Sequence, residues 1–177
     1  MRSITQVALA IASAAAITTV IAMPASAAPV EDTTTTTVEV TAGALSISAP
    51  ASLALSSVTP GGSATGTFQS TDVVVTDLTA DTLGWTTSYT IGEFSSVLVP
   101  AGTIAASNVT YTPTVAIVDG TATVTEATAS NGTGVIQTAT AVTGNNTATW
   151  GGTITVTVPS DALAAADYTA TLTHSVL

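Results

Sequence analysis

The chain has 177 residues, no cysteine, and a formal net charge of −10 at neutral pH. Arg2 is its single lysine or arginine, so residues 28–177 carry no basic side chain except one histidine. Nucleic acid binding and electrostatic attraction to anionic lipid both depend on cations, which excludes these partners for residues 28–177. The absence of cysteine excludes disulfides and thiolate metal sites.

The first 27 residues have the pattern of a secretory signal peptide. Arg2 supplies the positive start, residues 7–22 form an apolar core, and Ala25 and Ala27 give the small-x-small cleavage pattern. We therefore expect export with cleavage between Ala27 and Ala28, and a secreted or cell-surface location. Beyond this leader no apolar run approaches the roughly 20 residues that span a bilayer, so we expect no membrane segment in the mature chain.

Residues 28–37 form a threonine-rich stretch, which we expect to be an extended N-terminal arm. Alternating strand patterns begin at Val38 and recur to the C-terminus, separated by turn residues at intervals of about 8–12 positions. Threonine and valine are stiff at χ1 and favour strands over helices. Residues 38–177 are therefore predicted to be a single all-β domain with an antiparallel β-sandwich-like fold.

Several elements follow from the alternation. Val73, Val75 and Asp77 are expected to share one strand face. The next strand is expected to place one set of side chains on a common face: Leu83, Trp85, Thr87, Tyr89 and Ile91.

Turn-forming residues predict where the later strands of the chain begin and end. Asp119 and Gly120 predict a two-residue hairpin turn, and residues 135–142 predict a strand that ends before Gly144. The alanine-rich residues 159–167 predict one short helical turn. A last strand is expected to place one set of side chains on a common face: Tyr168, Ala170, Leu172, His174 and Val176.

Trp150 and Trp85 are the candidate glycan-binding residues. Trp150 stands beside two glycines, at what looks like a loop edge, where its ring is either exposed for stacking on a sugar or buried. Trp85 has apolar neighbours on its predicted face, which favours a core position over a glycan platform.

Asp72, Asp77 and Asp81 cluster around one predicted loop. Carboxylates in a secreted acidic domain suit calcium, although their spacing is not that of an EF-hand. The alternative is that Asp77 and Asp81 accept hydrogen bonds from loop amides. Calcium is the one cofactor that this pattern suggests. Most of the 11 acidic side chains are expected to be exposed, because residues 28–177 contain no lysine or arginine to pair with a buried carboxylate.

His174 is the lone histidine, and Ser175 follows it directly. Adjacent residues in a strand point to opposite faces, so these two cannot form a nucleophile–base pair. No Gly-x-Ser-x-Gly elbow is present either. We expect no enzymatic activity.

Two stretches, far apart in the sequence, together resemble the motifs of a known family. Residues 73–87 read Val-Val-Val-Thr-Asp-Leu-Thr-Ala-Asp-Thr-Leu-Gly-Trp-Thr-Thr, and residues 166–177 read Ala-Asp-Tyr-Thr-Ala-Thr-Leu-Thr-His-Ser-Val-Leu. They resemble the two motifs of the WxL domain, a cell-surface module of Gram-positive bacteria, and the likeness extends over nearly all of residues 28–177. The positions that correspond to the family motifs are Asp77, Gly84, Trp85, Tyr168, Leu172 and His174.

The chain departs from that family at two positions. Thr87 stands where the family has its name-giving leucine, and His174 stands where it has its second tryptophan. The resemblance implies a β-sandwich-like domain that binds peptidoglycan non-covalently and works together with other surface proteins.

Two functions are therefore expected from the sequence. The first is a secreted, non-enzymatic protein that binds cell-wall glycan. The alternative is a structural or adhesive subunit that assembles with itself or with other surface proteins through strand edges, since the strands carry no lysine to protect them. The oligomeric state stays open.

Overall fold

The computed structural model describes residues 31–98 and 102–177. The signal peptide predicted for residues 1–27 lies outside the described residues. Residues 31–37 of the predicted arm are exposed and form no strand. The chain divides after Val38, and the compact unit Glu39–Leu177 contains all the strands that the structure describes.

The described residues form nine strands and one short 3-10 helix. The strands are β1 (Leu45–Ser48), β2 (Ser63–Asp77), β3 (Trp85–Ile91), β4 (Phe94–Ser95), β5 (Thr103–Ile104), β6 (Val109–Pro113), β7 (Ile117–Glu126), β8 (Thr133–Thr157) and β9 (Leu172–Val176). The 3-10 helix, Ala106–Asn108, precedes β6. Among the described residues no helix is long and apolar enough to cross a membrane.

The long strand β8 organises the main sheet. Strands β2, β3, β6 and β7 all pair with it antiparallel, each along a different part of its 25 residues. Strand β1 pairs with β2 and β9 pairs with β3, which gives the order β1-β2-β8-β3-β9. The end strands β1 and β9 lie beside each other, so the antiparallel sheet is nearly closed. The prediction of an all-β antiparallel fold is confirmed.

The period-two pattern of burial agrees with most of the predicted faces. Val73 and Val75 have no exposed surface, and Asp77 is buried beside them. In β3 the inward residues are buried as expected, apart from Leu83, which is 88% exposed. The prediction for Leu83 is wrong because the strand begins only at Trp85, after a turn at Gly84 with φ +76°.

Two predicted chain breaks lie inside strands instead. Asp119 and Gly120 belong to β7, where the pairing with β8 shifts register directly after Gly120, at φ +97°. A glycine with positive φ suits a bulge as well as a hairpin turn, and here both flanking runs pair with the same strand. Gly144 likewise has φ +69°, yet β8 continues through it to Thr157.

Residues 159–167 contain no helix. A single turn is present, in which the amide of Ala162 donates to the carbonyl of Pro159 at 3.1 Å. The segment that follows is joined to residues 95–98, at and after β4, by hydrogen bonds of Asp167 and Thr169.

Candidate functional site

Asp77, Asn146 and Trp85 form a buried polar network that connects β2, β8 and β3. The indole Nε1 of Trp85 donates to Asn146 Oδ1 at 3.2 Å, and Asn146 Nδ2 donates to Asp77 Oδ2 at 2.8 Å. The other carboxylate oxygen accepts from the amide and the hydroxyl of Thr79, at 3.0 and 2.6 Å. Burial raises the pKa of Asp77, but the hydrogen bonds from Thr79 and Asn146 outweigh it, so its pKa is lowered.

Gly84 lies directly before Trp85, at the end of the loop that joins β2 to β3. A Cβ built on Gly84 would lie 2.4 Å from the carbonyl oxygen of Ala139, and its φ of +76° is a left-handed conformation that favours glycine. Three of the motif positions, Asp77, Gly84 and Trp85, therefore lie together and hold the fold. Tyr168, Leu172 and His174 lie elsewhere, on the C-terminal segment and β9.

Trp150 does not lie at an exposed loop edge. It belongs to β8, has no exposed surface, and stacks on Trp85 with the ring centroids 6.4 Å apart. Trp85 is itself only 3% exposed, which agrees with the core interpretation of its pattern. Of the two alternatives left open for Trp150, the buried one is therefore correct, because its ring points from β8 into the core, where it stacks on Trp85. Neither indole presents a ring face to solvent for stacking on a glycan.

The three aspartates do not form a cluster. Asp72 caps a bulge in β2 by accepting from the amide of Gln69 at 2.7 Å, while Asp81 accepts from the amide of Leu83 at 2.9 Å. The alternative that Asp77 and Asp81 bind loop amides is confirmed. Among the described residues no group of three or more carboxylates or histidines could hold a metal ion. Seven of the 11 acidic side chains are exposed, as expected.

His174 and Ser175 point to opposite faces of β9. Ser175 shares a 2.9 Å hydrogen bond with Ser88 on the outer face, whereas the His174 ring packs edge-on against Phe68 and Tyr111, with centroids 5.8 and 5.6 Å apart. The Nε2 atom of His174 is buried and has no hydrogen-bond partner among the described residues. Burial lowers the pKa of His174 to about 4.

Two further buried polar atoms lie in the same aromatic cluster. The hydroxyl of Tyr111 and the indole nitrogen of Trp150 make no hydrogen bond of normal geometry to any described residue. Burial raises the pKa of the Tyr111 phenol to about 12, and the nearby Trp150 indole offsets this only in part. These three atoms are the under-satisfied polar groups of the aromatic core.

Beside His174 the fold leaves an open groove, which consists of two adjoining cavities of about 490 and 690 Å³. One wall is residues 49–58, which follow β1, and the other is the C-terminal segment of residues 162–174. The floor is made of core side chains: Ala64, Phe68, Ile91, Phe94, Ile104, Ile154 and Val156. Both cavities share residues 51–53, Leu55, Phe94 and Ala170, so they form one continuous surface.

The C-terminal wall is fixed by Asp167. This carboxylate accepts hydrogen bonds from the Ser96 hydroxyl and from the amides of Val97 and Leu98, the latter two at 2.8 and 3.1 Å. The hydrogen bond from Ser96 lowers the pKa of Asp167 more than burial raises it, and the hydrogen bonds from the amides of Leu98 and Val97 lower it further. Thr169 adds a pair of backbone hydrogen bonds with Ser95, both at 3.0 Å. These contacts hold the wall against β4 and the residues that follow it.

The groove is uncharged. No carboxylate lines either cavity, and its titratable lining residues are His174 and Tyr168. The groove is thus a neutral site with apolar side chains at its floor, and the carboxylates of the described domain lie outside it. This site was not predicted from the sequence. The signal for it is the alternation of Leu53 and Leu55 within a run that forms no strand.

Comparison with known proteins adds no relative. No protein-family model matches the chain, and no curated protein and no solved structure matches it.

Proposed function

We propose that the exported protein is a non-enzymatic surface module that holds its partner by binding an extended chain segment in the open groove. The observation that carries this proposal is the groove itself, a floor of apolar core side chains between residues 49–58 and residues 162–174 in an antiparallel β domain. An extended segment bound in such a site gains affinity from backbone hydrogen bonds and specificity from alternate side chains.

Unused backbone groups along the groove favour a strand as ligand. Thr86 and Leu177 exchange two backbone hydrogen bonds, at 2.9 and 3.0 Å. Because hydrogen-bonded and non-hydrogen-bonded pairs alternate in an antiparallel ladder, the N–H and C=O groups of Leu172 and His174 point away from β3. Residues 49–55 also make no backbone–backbone hydrogen bond to the rest of the described chain.

The edges carry no protection against such pairing. Strands β1 (Leu-Ser-Ile-Ser) and β9 (Leu-Thr-His-Ser-Val) contain no lysine, no proline and no carboxylate. Natural sheet edges are usually protected from strand addition by charges, prolines or bulges. An unprotected pair of edges beside an apolar groove supports a binding role.

Cell-wall binding is the second candidate, supported by the resemblance of residues 73–87 and 166–177 to the WxL motifs. Its chemistry would have to use surfaces other than the two buried indoles. Retention of the exported protein on purified Gram-positive peptidoglycan, measured with calcium and with a chelator, tests it. We expect the calcium and chelator arms to agree, because the three aspartates are not grouped.

A strand peptide tests the groove. The probe is a fluorescent peptide with four Thr-Val repeats and a lysine at each end, and its control carries a proline at the centre. We expect saturable binding of the first peptide to the exported protein, and loss of binding in Ala170→Trp, which fills the groove. Thr125→Trp on exposed β7 is the matched control and should bind normally. Equal binding by Ala170→Trp, or no binding by the wild-type protein, would overturn the proposal.

A further inference from the structure

We propose that the segment bound in the open groove is residues 36–41 of a second copy of this chain, so that copies join by strand exchange. These residues, called the arm from here on, comprise the end of the threonine-rich stretch and the four residues that follow it. This inference rests on the function proposed above and names its partner. The observation behind it is that residues 36–41 have the alternating pattern of a strand but pair with no strand in the described structure.

The arm is suited to strand pairing. Residues 36–41 read Thr-Thr-Val-Glu-Val-Thr, all but one of them β-branched, and none of them lies in a strand of the described structure. Val38 is 86% exposed and Val40 is 81% exposed. These valines bury little of their surface in the described structure, and joining a sheet would remove more of it from water.

The alternation of the arm matches the groove. In an extended segment Val38 and Val40 point to one side, and Thr37, Glu39 and Thr41 point to the other. The valines can therefore face the apolar floor while Glu39 stays in solvent. Six residues in a strand span about 20 Å, the length of an ordinary strand. Only one carboxylate enters with the segment, and no lining residue of the groove repels it.

The chain connection favours a second copy over the same molecule. The arm enters the domain at Gly43 and Ala44, which pair with Leu78 through backbone hydrogen bonds of 2.8 and 3.1 Å. The groove begins at Ile47 and Ser48, at the opposite end of β1. Gly43 is already held by Leu78, so to enter its own groove the chain would have to reverse at Thr41 and Ala42, a pair that contains none of the strong turn formers glycine, proline, asparagine and aspartate.

Such exchange is directional. The donor is the arm and the acceptor is the groove, so the contact is heterologous, and repetition without closure produces a linear assembly. The copies carry like charge, with a net charge of −10 for the full chain, and salt screens their repulsion. Association is therefore expected to strengthen as ionic strength rises.

Cysteine trapping tests the inference cleanly, because the chain contains no cysteine of its own. Two exported single variants, Val40→Cys and Ala170→Cys, are mixed and oxidised, and the products are separated on a non-reducing gel. A disulfide between them can form only between molecules. We expect a heterodimer band at least tenfold stronger than in the control mixture of Val40→Cys with Thr125→Cys.

A second measurement does not depend on disulfide geometry. The mass of the exported protein is measured by light scattering at rising concentration and at two salt levels, beside the double variant Val38→Asp/Val40→Asp. We expect association of the wild type that increases with salt, and monomers of the variant, whose substitutions lie in the exposed arm and leave the core unchanged.

The outcomes separate this inference from the function on which it rests. If the Thr-Val peptide binds the groove but the trapped pair does not exceed its control, the arm is not the occupant and the inference is overturned. If the wild type and the double variant have equal masses at every concentration, the inference is likewise overturned. If the Thr-Val peptide does not bind the wild-type protein, the proposed groove function is overturned, and the strand-exchange inference that rests on it is overturned as well.

Discussion

The indole Nε1 of Trp85 donates a hydrogen bond to Oδ1 of Asn146 at 3.2 Å, and its ring stacks on Trp150 in the core. This contact joins β3 to the middle of β8, 61 residues further along the chain. It makes Trp85 a structural residue with both an apolar and a polar role.

Replacing Trp85 by alanine is therefore expected to reduce the free energy of unfolding by about 3–5 kcal/mol, because it removes a buried aromatic side chain. Trp85→Phe keeps most of the ring but leaves Asn146 Oδ1 without its donor, at a cost of about 1–3 kcal/mol. Urea denaturation measures both. The control is Leu83→Ala, which lies two residues away and is 88% exposed, and should change stability by less than about 0.5 kcal/mol. Equal stabilities for Trp85→Ala and Leu83→Ala would contradict the core position.

Two glycines with similar backbone angles offer a matched comparison. Gly84 and Gly144 have φ of +76° and +69°, but a Cβ on Gly84 would meet the Ala139 carbonyl at 2.4 Å, whereas a Cβ on Gly144 has nothing within 4 Å. Gly144→Ala should cost about 1–2 kcal/mol for the left-handed backbone alone. Gly84→Ala should cost distinctly more, because the clash adds to the same backbone term. Thermal denaturation of both variants gives the difference, and equal losses would show that the Ala139 carbonyl moves aside freely.

Local alternation predicted the faces of this domain well, because burial with period two is a property of a few consecutive residues. Val73, Val75, Thr87 and Tyr89 are buried on the expected faces for that reason. The hairpin expected at Gly120 failed because a bulge and a turn use the same positive φ, and only the pairing partner distinguishes them.

The burial of Trp150 could not be predicted from its neighbours in sequence, for a different reason. Its burial depends on the core into which its ring points, where it stacks on Trp85, a residue far from it in sequence. The groove was equally hidden, because its walls come from residues 49–58 and 162–174, at opposite ends of the domain.

Asp77 is expected to make the domain sensitive to strong acid. Its folded-state pKa is lowered from 3.8, so the unfolded state takes up the proton more readily. The stability that Asp77 contributes is therefore present above about pH 4 and is lost as the pH falls through its lower folded-state pKa. Asp77→Asn should cost about 1–3 kcal/mol at pH 7, because the new amide cannot accept all the hydrogen bonds from Thr79 and Asn146.

The same variant should lose less further stability than the wild type between pH 4 and pH 2, as followed by urea denaturation. Asp161→Asn, at an exposed turn, controls for the change in net charge. A wild type and an Asp77→Asn variant that lose stability in parallel over this interval would contradict the role of the buried carboxylate.

His174 is expected to act in a higher pH range, which separates its effect from that of Asp77. Its pKa is about 4 in the folded state, against 6.5 for an ordinary histidine, because burial penalises the imidazolium. Above pH 6.5 the ring is neutral in both states. As the pH falls from 6.5 to 4 the unfolded chain takes up a proton that the folded chain does not, so stability declines over this interval and His174 adds no further loss below it.

His174→Phe keeps a ring against Phe68 and Tyr111 and removes both the titration and the unpartnered Nε2. The phenol of Tyr111, with a pKa of about 12, stays neutral throughout this range. We expect the variant to be nearly insensitive to pH between 6.5 and 4.5 and to exceed the wild type in stability by a margin that grows as the pH falls. Urea denaturation at pH 7.5, 6.5, 5.5 and 4.5 measures this margin. A margin that is constant with pH would show that the ring takes up its proton as readily in the folded domain as in the unfolded chain, which its burial beside Phe68 and Tyr111 argues against.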